Sequence, residues 1–63
     1  TNGIIARELA RTTASLVVAA ARERGTVLVF VEEARRILAQ FPDTGLTEPE
    51  LAIEMERAFG QAT

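Results

Sequence analysis

Carboxylates, one serine and a set of arginines are the side chains here with chemical potential. One acidic run, Asp43-Thr44-Gly45-Leu46-Thr47-Glu48-Pro49-Glu50, has a glycine near its start. A calcium loop needs oxygen ligands at alternating positions and a bidentate glutamate closing a twelve-residue span, and this run has neither. Glu32 with Glu33, and Glu54 with Glu56, are the closest carboxylate pairs. Adjacent and two-apart residues on a helix point in different directions, so neither pair is placed for acid and base work, and both are expected as solvated surface. Ser15 has no base of the usual kind, because the chain contains no histidine. Without histidine or cysteine there is also no zinc site. The expectation is therefore a non-enzymatic chain with no catalytic residue, no metal ligand and no cofactor.

The positive charges are all arginine, and nine acidic residues against seven basic ones leave a net charge of −2. Nucleic acid is an unlikely partner at that balance, since a basic face is the usual footprint of phosphate binding. Three helices joined by short turns could still form a helix-turn-helix variant, so a small DNA-binding or transcription-regulating domain stands as the first alternative. A last helix carrying Glu48, Glu50, Glu54 and Glu56 against Arg57 has the wrong sign to read phosphates. Arg7, Arg11 and Arg22 line one side of the first helix and are expected to form ion pairs with that acidic helix. A regulatory partner of a larger enzyme, acting through the acidic helix, is the second alternative.

These groups must be held by helices. Val27, Phe30, Val31, Ala34, Ile37, Leu38 and Phe41 recur at three- and four-residue steps and form one stripe, opposite Glu32, Glu33, Arg36 and Gln40. Glu32 with Arg35 and Arg36, and Glu33 with Arg36, reinforce that helix, and Pro42 ends it. Before it, Ile5, Leu9, Leu16 and Ala20 fall on one line, with Ala6, Ala10, Thr13 and Val17 beside them. This predicts a first helix over about 4–24, capped by Asn2, with arginines in its last turn and Gly25 as its left-handed stop. After the Pro42–Gly45 turn, Thr47 and Glu50 spell a capping box, Pro49 lies in the first turn, and Leu46 and Leu51 form a hydrophobic staple. A third helix over 48–59 follows, with Leu51, Ala52, Met55, Ala58 and Phe59 inside, Gly60 as its stop and 61–63 fraying.

The segment Glu50–Gly60 is similar to the second helix of acyl carrier proteins, which is acidic and ends in a comparable glutamate, phenylalanine and glycine pattern. Those proteins carry phosphopantetheine on a serine just before that helix. Here Asp43-Thr44-Gly45-Leu46 has no serine, so no activity or cofactor follows from the resemblance.

Thr26-Val27-Leu28-Val29-Phe30-Val31 is the ambiguous stretch. A helical hairpin with the second helix over 26–41, started by a Thr26 cap, ranks first. A continuous or kinked helix through Gly25 ranks second, and a β-strand paired with another molecule third, as the chain has no second strand.

The fold expected is a single all-α domain over 1–63: a helical hairpin plus a third short helix, its core completed by homodimerisation. A 63-residue chain without cysteine has neither a large core nor a disulfide to steady it, which leaves oligomerisation. Val18, Leu28, Val29 and Ile53 lie off the inner stripes and are the expected interface. The function expected is that of a protein-interaction or oligomerisation module, with a dimer of itself or another protein as partner. Leu16 to Ala21 is the longest apolar run, too short to cross a bilayer, and the absence of cysteine fits the cytoplasm. The chain opens on Thr1 rather than methionine, consistent with a fragment or a processed form.

Overall fold

A computed structural model describes residues 2–61. They form three packed helices, α1 (Asn2–Arg24), α2 (Phe30–Gln40) and α3 (Glu48–Gln61), with no strand among the described residues. α1, at 23 residues, is the long element. At about 1.5 Å per residue it accounts for the 35 Å length of the molecule, whose other dimensions are 17 and 16 Å. Arg7 bonds to the Thr44 carbonyl, Arg11 to Glu54 and Arg22 to the Phe59 carbonyl, so α1 and α3 run in the same direction. The ring of Phe30 at the start of α2 meets that of Phe59 near the end of α3, with centroids 5.7 Å apart and planes at 71°. α2 therefore runs opposite to both.

The turn between α1 and α2 departs from the expected tight hairpin. Gly25 has φ +69°, its amide donates to the Arg22 carbonyl at 3.2 Å, and the Thr26 amide donates to the Ala21 carbonyl at 2.8 Å. This is the Schellman pattern, and it makes Thr26 part of the closure of α1 instead of the cap of α2. Residues 26–29 lie outside any helix, and α2 begins at Phe30, not at 26. Val29 occupies its N-cap position with φ −95° and ψ 99° and offers no side-chain bond. Glu32 and Glu33 in the first turn compensate by meeting the positive end of the helix dipole.

At the other ends the shifts are small. α1 already includes Asn2, so that residue lies inside the helix and is not its cap. α3 runs through Gly60 to Gln61 rather than stopping, and the expected fraying of 62–63 lies outside the described residues.

The larger correction concerns which side of α1 faces inward. The core is Ala10, Ala14, Val18, Ala34, Ile37, Leu51, Ala52 and Met55, with Val17, Leu28, Phe30, Leu38, Phe41, Leu46, Ala58 and Phe59 packed around it. α1 thus contributes Ala10, Ala14, Val18 and Ala21, while Ile5, Leu9, Leu16 and Ala20 face away. Val18, expected at an interface, is 3% exposed and belongs to the core. The physical reason lies in α2 and α3. Their Ile37, Leu51, Met55 and Phe59 are large, and a facing surface of alanines lets the helix axes close around them at native density. The stripe holds for Ala34 and Ile37, with Phe30, Leu38 and Phe41 packed against the core, whereas Val27 lies in the connection before α2 at 88% exposure and Val31 is 46% exposed.

Candidate functional site

Around the start of α3 the polar groups are mutually satisfied. The Thr47 amide donates to Glu50 Oε1 at 3.0 Å, and the Glu50 amide donates to Thr47 Oγ1 at 3.3 Å. Thr47 Oγ1 in turn donates to Glu50 Oε1 at 2.8 Å, so the capping box is complete. Leu51 and Leu46, its staple pair, both join the core. Thr44 is buried, accepts the Leu46 amide on Oγ1 at 3.1 Å, and offers its carbonyl to Arg7 Nε at 2.9 Å. Gly45, with φ +75°, lies where an added Cβ would come within 3.1 Å of the Arg7 guanidinium. The acidic run is thus a capped turn held down by an arginine of α1. Among the described residues no three acidic side chains gather closely enough to hold a metal ion.

The cap contacts move the titration of Glu50. The Thr47 hydroxyl, then the Thr47 amide, hold its carboxyl below the usual value of 4.5, with smaller help from the charges of Arg11 and Arg7. A carboxylate favoured in the folded state contributes stability above its unfolded pKa and loses it as pH falls through the lower folded one. The urea midpoint advantage of the native chain over Glu50→Gln is therefore expected to be constant above about pH 5.5 and to shrink below pH 4.5. A difference that stays flat through the acid range would show that the box does not depend on the charge.

Of the three arginines expected to form ion pairs with the acidic helix, Arg11 alone does so among the described residues; Arg7 bonds to the loop before α3 and Arg22 to a backbone carbonyl of α3. Arg11 forms a two-bond pair with Glu54, at 3.1 and 3.2 Å, in which both side chains remain substantially exposed. Arg22 donates to the Phe59 carbonyl and lies over the Phe59 ring, 5.7 Å from its centroid. Pairs this exposed add little stability, of order 0–1 kcal/mol. Their consequence is chemical: Arg7, Arg11 and Arg22 are engaged along the α1–α3 seam, not displayed as a free cationic face. Arg35 reaches across to Glu48 at 3.3 Å, and Arg36 pairs with Glu33 at 3.7 Å.

Beside Arg11 and Glu54 runs a groove of about 190 Å³, lined by Ala14, Ser15, Val18, Leu51, Met55 and Ala58. Cavities that enclose a small ligand are typically about 300–1,000 Å³, and this groove offers Ser15 no base. Among known protein families, curated proteins and solved structures, none matches this chain.

A wider, more open hollow of about 540 Å³ adjoins the groove between Ser15, Ala19, Arg22, Glu23 and Ala58, and the rest of the surface carries exposed apolar side chains. Ile4, Ile5, Leu9, Leu16, Val27, Val29, Val31 and Ile53 are all 46% or more exposed. Of the four residues expected at an interface, Val29 and Ile53 are in this set, Leu28 packs against the core, and Val18 is inside it. Three of the exposed residues share one stripe: Ile5, Leu9 and Leu16, with Thr12 between them, fall within about 60° of one another at 100° per residue. That stripe lies nearly opposite the buried face of Ala10, Ala14 and Ala21. The periodicity was visible in the sequence; its outward direction was not.

Proposed function

We propose that this chain is a non-enzymatic interaction module that associates with copies of itself through the outer face of α1. The observation that carries it is the outward stripe, where Ile5 is 59%, Leu9 48% and Leu16 66% exposed beside a core made largely of alanine. Covering such side chains is worth about 25 cal/mol per Å² of apolar surface, and contiguous apolar strips of this kind mark interaction sites. The seam is short, which places it in the low-area class of interfaces and points to dissociation constants in the micromolar range. The setting proposed with it is the cytoplasm, where a chain without cysteine is indifferent to reducing conditions.

Sedimentation velocity between about 1 and 500 µM, a range set by that expected affinity, tests the proposal. The expected result is a shift from a 6.8 kDa species toward twice that mass as concentration rises. A monomer throughout overturns it.

A further inference from the structure

Building on that self-association, we propose that two copies pair antiparallel along α1, about a two-fold axis passing between residues 10 and 11. The four outward residues are spaced 4, 3 and 4 apart, at 5, 9, 12 and 16. An antiparallel copy in this register sets Ile5 against the partner's Leu16 and Leu9 against the partner's Thr12, then repeats both contacts across the axis. Each large leucine near the centre meets a smaller threonine, so the two backbones can approach without leucine stacking on leucine.

Two features favour this over a parallel pair. Continuing the same stripe by three and four residues leads to Ala19 and Glu23, both exposed. A parallel pair in register would stack Glu23 on its own copy, whereas the antiparallel register leaves Glu23 beyond the overlapping segment. On one flank of the overlap, reversal sets Glu8 beside Ser15 of the partner subunit. Antiparallel packing also opposes the two helix dipoles, which a parallel pair would align.

The chain has no cysteine, so engineered thiols report the orientation directly. Ile5→Cys and Leu16→Cys variants are mixed under mild oxidation, and the disulfide products are separated by mass. In the antiparallel register residue 5 faces residue 16, while two copies of residue 5 are about 16 Å apart along the axis, far beyond the roughly 7 Å that a disulfide spans. The expected product is the mixed dimer, with almost no like-with-like product. Glu8→Cys with Ser15→Cys gives the same readout while leaving all four seam residues intact. Like-with-like products in both pairs would mean parallel packing and overturn the orientation while self-association stands. No cross-link from either pair, with the native chain still dimeric in sedimentation, would place the interface on another face and also overturn it. No cross-link with a monomeric native chain defeats the proposed function itself.

Discussion

Leu51→Ala is expected to remove most of the stability of the fold, whereas Leu16→Ala, measured where the chain is monomeric, is expected to change it by less than about 0.5 kcal/mol. Leu51 is 0% exposed at the centre of the core and its backbone amide closes the first turn of α3 on the Thr47 carbonyl at 3.1 Å. Truncating a buried leucine costs about 2–5 kcal/mol through lost burial and the cavity it leaves. A domain of 63 residues has roughly 3–9 kcal/mol in total. Leu16 is 66% exposed, so its truncation removes little that folding of one chain had covered. Urea titration of helicity in dilute solution measures both. Equal losses for the two variants would mean that α1 presents its leucine face, not its alanine face, to α2 and α3.

The Leu9→Gln/Leu16→Gln double variant is expected to abolish self-association while keeping the helicity of the native chain. Both positions face outward on α1, and glutamine is as good a helix former as leucine to within a few tenths of a kcal/mol. A symmetric pair buries each leucine twice, so four side chains lose contact. At about 1–1.5 kcal/mol for each half-exposed leucine, the dissociation constant rises on the order of a thousandfold or more. In sedimentation the double variant is expected to remain monomeric at concentrations where the native chain pairs. An unchanged dimer would move the interface to Val27, Val29, Val31 or Ile53. A variant that unfolds would instead make Leu9 and Leu16 structural.

Local chemistry was legible wherever neighbouring residues alone decide the conformation. Thr47, Glu50, Leu46 and Leu51 specify the start of α3, and Gly25 specifies the end of α1, because caps and left-handed stops are settled within six or so residues. The same locality explains one misreading. Thr26 is as suitable for starting a helix as for ending one, and its amide bond to the Ala21 carbonyl depends on Gly25 having already turned the chain. The helix-forming pattern of Val27 and Leu28 then yields to a non-helical connection between the end of α1 and the start of α2.

By itself the sequence determined three helices, the end of α1, the turn and polar closure that start α3, and the shared side of Arg7, Arg11 and Arg22 on α1. Tertiary structure alone decided which face of α1 is inside. Periodicity shows that Ile5, Leu9 and Leu16 share a side and that Ala10, Ala14 and Ala21 share another, but both are apolar enough to bury. The choice falls to the partners. Ile37, Leu51, Met55 and Phe59 fill the space between the helices, and only the alanine face permits α1 to approach them closely. The larger side chains of α1 are left outside, and the candidate site follows from that choice.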